Sequence, residues 1–110
     1  MKKVVVAAIA FAFAGAVHAG NPEAGKEKSR TCAACHGPDG NSATGDFPKL
    51  AGQHYDYLIK SLRDYKTGKR KNAIMAPMAA PLSDRDIDDL AAFYSHQQGL
   101  VTRKNSYLVH

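Results

Sequence analysis

The chain has 110 residues, a formal charge of +5 and only two cysteines. A chain this short buries a modest core and supports one small domain. Lys2 and Lys3 carry two of the positive charges and lie at the extreme N-terminus; without them the formal charge is +3, so charge gives nucleic-acid binding no support.

In chain order, Lys2-Lys3, the apolar run Val4 to Val17 and the small residues ending at Ala19 read as a secretory signal over residues 1–19, cut before Gly20. The run is shorter than the roughly 20 apolar residues that span a bilayer. Residues 20–110 then form one domain outside the cytoplasmic membrane. Asn21-Pro22-Glu23 opens a first helix, with Asn as cap, Pro at the first position and an acid in the first turn. This helix is predicted to run on to His36-Gly37. Gly37 to Ser42 is dense in turn formers, and irregular chain continues through Leu50. A second helix fits Gln53 to Thr67, where Tyr55, Leu58, Ile59, Leu62 and Tyr65 recur at helical spacing and Gly68 caps the end.

Lys69-Arg70-Lys71-Asn72 reads as a basic loop. In Met75 to Pro81 two prolines exclude a regular helix or central strand. The last helix starts at Ser83, with Asp86 placed for a capping box and Leu82 and Ile87 for a hydrophobic staple. Ile87, Leu90, Ala91 and Tyr94 form its buried stripe, and Gly99 can end the helix. Residues 99–110 make a C-terminal tail that either folds back through Tyr107 and Leu108 or stays flexible. With no strand pattern after residue 20, the fold class is all-α.

Both cysteines fall in Cys32-Ala33-Ala34-Cys35-His36. This spacing is the attachment pattern for a c-type haem. Two thiols about one helical turn apart can add to the two vinyl groups on one porphyrin edge, and the next residue, His36, then lies beneath the iron as proximal ligand. A zinc or disulfide reading accounts for the thiols and leaves the adjacent His unexplained. One motif implies one covalent haem per chain. For the opposite face of the iron the chain offers Met75, Met78, His54, His96 and His110. A Met is ordinarily core filler. Here, with a haem that needs a second ligand, one of the two methionines in the Pro-bounded loop is the expected one.

Cys32 to Gly37, Gly40-Asn41-Ser42, Phe47 to Gln53 and Met75 to Asp84 resemble the class I cytochromes c, and within them the cytochrome c553 and c4 group. The resemblance covers nearly all of residues 22–98. It implies that Met75, seven residues before Leu82, is the axial ligand, with Met78 in reserve. It implies that the first and last helices cross with Gly25 against Leu90 and Phe93, and that the Pro48 carbonyl accepts a hydrogen bond from His36. The chain carries Lys28 where some of the wider class carry a large aromatic.

The expected function is one-electron transfer in the periplasm by a monomer that is not an enzyme, with redox proteins as partners and no nucleic acid. Lys69, Arg70 and Lys71 either dock an acidic redox partner or stand as solvated loop charges. Two alternatives are a haem subunit dedicated to one periplasmic dehydrogenase, and a peroxidase or sensor whose Met loop opens. A thiol oxidoreductase lacks the βαβ pattern that usually surrounds its C-x-x-C.

Overall fold

A computed structural model describes residues 2–5 and 19–100. The bulk of the expected signal and the tail beyond Leu100 lie outside the described residues. Five helices follow in order: α1 (Pro22–Lys28), α2 (Arg30–His36), α3 (Tyr55–Thr67), α4 (Met75–Ala79) and α5 (Asp84–Ser95). No strand occurs among the described residues, and none of their helices is long and apolar enough to cross a membrane.

The expected continuous first helix is two helices joined at Ser29. The Ser29 side chain donates to the Lys26 carbonyl at 2.7 Å, a local bond that competes with the helical ladder, and its ψ of −4° tilts the following turn. The Asn21 cap is as expected, its Oδ1 accepting from the Glu23 and Ala24 amides.

Helix α1 packs most extensively on α5, while α3 packs on both α5 and α4. At the first crossing Gly25 is buried, and a Cβ there would stand 1.9 Å from the Asp89 carbonyl oxygen and 2.7 Å from Phe93 Cβ. Only the missing side chain lets the two backbones approach so closely. The expected contact with Phe93 is present, and Asp89 is its neighbour there. Lys28 adds a polar clamp: its ammonium lies 2.7 Å from Asp89 Oδ2 and 2.9 Å from Asp86 Oδ1. The Asn21 amide donates to Asp89 Oδ1 at 2.8 Å. Burial opposes the charge on Asp89, yet Lys28 and the Asn21 amide outweigh it and hold the carboxyl below its ordinary range.

The core joins Leu58 of α3 to Leu90, Ala91, Phe93 and Tyr94 of α5, with Cys32, Leu50, Tyr55, Ile59, Leu62 and Leu82 packed around them. The capping box of α5 forms as expected, with Ser83 Oγ bonded to the Asp86 amide and Asp86 Oδ2 to the Ser83 amide.

Two further expectations fail. Residues 75–79 do form a short helix despite Pro77. Pro77 sits in the first turn, where amides have no intrahelical partner to lose. Helix α5 stops at Ser95, short of Gly99. His96 Nδ1 sits 2.6 Å from the Ala92 carbonyl, Gln97 Nε2 donates to Phe93, and the Gly52 amide takes the Tyr94 carbonyl. The final carbonyls are thus satisfied without another helical turn. The following chain is tied back through the Leu100 amide to the Ala51 carbonyl at 2.8 Å.

Candidate cofactor site

Helix α2 opens with the Ser29 carbonyl accepting from the Cys32 and Ala33 amides, both at 2.9 Å. Its three-residue spacing puts Cys32 and Cys35 on one face. Both thiols are free and half-buried. Cys32 leans on the core cluster, and Cys35 lines a cleft of about 300 Å³ with Ala33, Ala34, Pro38, Ala43 and Phe47.

His36 ends the helix and is buried, with 6% of its surface exposed. Its Nδ1 lies 2.9 Å from the Pro48 carbonyl oxygen. A carbonyl only accepts, so this contact requires the proton on Nδ1 and leaves the lone pair of Nε2 free. Phe47 meets the imidazole edge-on, ring centroids 6.3 Å apart. The loop that delivers Phe47 and Pro48 is pinned at Gly40, whose carbonyl accepts from the Leu50 amide at 2.8 Å and the Ala51 amide at 3.2 Å. Gly40 has φ +84°, and a Cβ there would come within 2.7 Å of the Tyr94 ring. Its sequence neighbourhood reads only as a turn; the reason for glycine there is the ring of a residue 54 positions away.

Met75 is half-buried, whereas Met78 is 39% exposed. The Met75 segment is held by Asn72, read from sequence as part of a basic loop. Asn72 Oδ1 accepts from the Ile74 and Met75 amides, each at 2.9 Å, and its carbonyl accepts from Ala76. The signal was present in the preference of Asn for helix starts; the adjacent lysines and arginine masked it. His54 and His96 are both exposed. His110 lies outside the described residues. Arg70 is turned onto α3, its guanidinium 4.7 Å from the Tyr65 ring centroid.

These residues fit a covalent haem. Two unpaired thiols stand one turn apart, and an imidazole beside them has its tautomer fixed. Tyr94 Oη, buried in the same core as Cys32, has no hydrogen-bond partner among the described residues.

The cytochrome c family model matches residues 22–98. The cytochrome c4 of Thiocapsa roseopersicina is 51% identical over 85 residues, covering 76% of this chain and 44% of that protein. Cytochrome c-554(548) of Halomonas halodenitrificans is 48% identical over 83 residues, covering 73% of this chain and 100% of that protein. Among solved structures, reduced recombinant cytochrome c4 from Pseudomonas stutzeri superposes with a TM-score of 0.71 at 49% identity, covering 76% of this chain and 48% of that one. The chain thus spans about half the length of the cytochromes c4 it matches. By sequence and by fold it belongs to the cytochrome c family, as a class I, c4-like member with covalently bound haem c.

Proposed function

We propose that this protein is a one-electron carrier of the periplasm, with haem c attached through Cys32 and Cys35 and with His36 and Met75 as the two axial ligands. The haem supplies a ferric–ferrous couple whose potential a thioether ligand raises. The chain's own residues do the rest.

The observation that carries the reading is the bond between His36 Nδ1 and the Pro48 carbonyl. It fixes the ring and directs the Nε2 lone pair away from the loop, and a carbonyl acceptor strengthens the imidazole as a donor to metal. Burial of His36 keeps water from competing for that nitrogen. Asn72 holds the backbone of Met75, and the half-buried Met75 is a better choice of second ligand than the more exposed Met78. A haem iron held by both His36 and Met75 would have no position left for a substrate, which favours a carrier over a peroxidase or sensor.

Export is supported by the basic pair Lys2-Lys3 followed by an apolar run. Redox proteins are the partners this chemistry calls for, and the monomer is the assembly proposed.

The test is the visible spectrum of the purified haem protein, with Met75→Ala and Met78→Ala beside it. A weak far-red band in the ferric form, lost in Met75→Ala and kept in Met78→Ala, is expected. Its loss in Met78→Ala alone would reverse the assignment. Its absence from the parent protein, with ready binding of external ligands, would remove the carrier reading.

A further inference from the structure

Tyr94 stands apart from the other core residues because it brings a hydroxyl into the core. Only 3% of its surface is exposed, its ring fits against Gly40 and lies 5.0 Å from the Phe93 ring, and its carbonyl is taken by the Gly52 amide. The ring is therefore fixed from several sides. Its Oη is sequestered from solvent and has no hydrogen-bond partner among the described residues. A hydroxyl left in that state is costly, so its surroundings should contain the acceptor that completes it.

The polar side chains that bear on its ionisation are those of Cys32 and Ser29. Ser29 donates its proton to the Lys26 carbonyl and keeps an acceptor lone pair, so it is the rival acceptor that a Ser29→Ala variant tests. Cys32 packs against the same core cluster. As a thiol, Cys32 can donate or accept; as a thioether its sulfur can only accept. The phenol, in turn, keeps its proton: burial first, and then the neighbouring Cys32, push its ionisation upward. A fixed donor thus adjoins a sulfur that haem attachment converts into an acceptor.

We propose that in the haem-loaded protein Tyr94 Oη donates a hydrogen bond to the Cys32 thioether sulfur and thereby raises the reduction potential. The inference rests on the reading that Cys32 carries a thioether. The bond draws lone-pair density from the sulfur, and so from the porphyrin edge to which it is joined, which disfavours the ferric state relative to the ferrous. Tyr94 acts through Cys32 and is a positioning residue.

The experiment compares haem-loaded parent protein, Tyr94→Phe and Ser29→Ala by redox titration and by resonance Raman spectroscopy of the C–S stretching bands. The expected result is a lower midpoint potential and a shift of one C–S band in Tyr94→Phe, with neither change in Ser29→Ala. Unchanged potential and bands in Tyr94→Phe, or the same shifts in Ser29→Ala, would overturn it. Should Tyr94→Phe fail to load haem, the parent protein in deuterated water decides: a deuterium-sensitive C–S band supports the bond, and an insensitive one overturns it. Acid–acetone extraction separates the underlying reading, because haem released from the denatured parent protein would mean no thioether at all. Retained haem with no effect of Tyr94→Phe would sink only the hydrogen bond.

Discussion

The Pro48 carbonyl oxygen stands 2.9 Å from His36 Nδ1, across a loop that leaves the helix at Gly37 and returns to the imidazole. Any residue at 48 keeps a carbonyl; what proline adds is a fixed φ and an extended preference in Phe47 before it. Pro48→Ala is therefore expected to keep the His-ligated spectrum and to lose about 0.5–1 kcal/mol of stability through the unfolded chain. Denaturant midpoints check the second part. A changed ferrous spectrum would mean that the ring itself depends on proline.

Asn72 accepts from two consecutive amides at the start of the Met75 segment. Asn72→Ala is predicted to cost about 1 kcal/mol, the usual worth of a cap. It should also lower the temperature at which the far-red ferric band disappears, ahead of global unfolding. A band that melts only with the whole protein would separate Asn72 from Met75.

At the α1–α5 crossing, a methyl on Gly25 would meet the Asp89 carbonyl at 1.9 Å. Neither partner there is the free end of a flexible side chain, so relief requires the helices to part. Gly25→Ala should destabilise the haem-loaded protein by about 3 kcal/mol. A loss below the scatter of the measurement would show that the two backbones separate freely.

Lys28 holds the Asp86 carboxyl down at about 2, with the Ser83 amide as its second support. A carboxyl depressed on folding adds stability that is complete above its ordinary value of 3.8 and is lost as pH falls through about 2. Asp89, also depressed, adds to the same acid window. The unfolding free energy should therefore fall as pH drops below 3.8, and Lys28→Met should flatten that fall. At neutral pH the same variant leaves buried Asp89 without its ammonium, at a cost of about 2 kcal/mol. An unaltered pH profile in Lys28→Met would place the acid sensitivity elsewhere.

Lys69 and Lys71 are exposed at the end of α3, while Arg70 is engaged by Tyr65 and Tyr57. If this loop meets an acidic redox partner, Lys69→Glu with Lys71→Glu slows reduction about tenfold at low salt, and the gap closes as salt rises. Equal rates at all ionic strengths would leave these lysines as solvated loop charges.

Local chemistry was legible in the sequence wherever a residue's partners lie within a few positions. The Asn21 and Ser83 caps, the Gly68 stop and the helical stripe around Leu90 depend on short-range geometry and appear as read. The Cys32-Cys35-His36 turn is equally local, and the family match agrees with the cofactor it called for. The misreadings share another origin. Nothing local to Pro77 shows that it falls in a first turn, and nothing local to Gly99 shows that His96, Gln97 and Gly52 take the last carbonyls of α5.

Sequence by itself determined the all-α class, the covalent haem and the starts of α1 and α5, because periodicity, capping and thiol spacing are properties of neighbouring residues. Only the tertiary structure decided that Lys28 clamps Asp86 and Asp89, that Gly40 seats Tyr94, and that the Tyr94 hydroxyl is buried in the core against which Cys32 packs. Those relationships join residues dozens of positions apart. No local pattern encodes them; they follow from how closely α1 packs on α5 and from the loop that brings Gly40 against Tyr94.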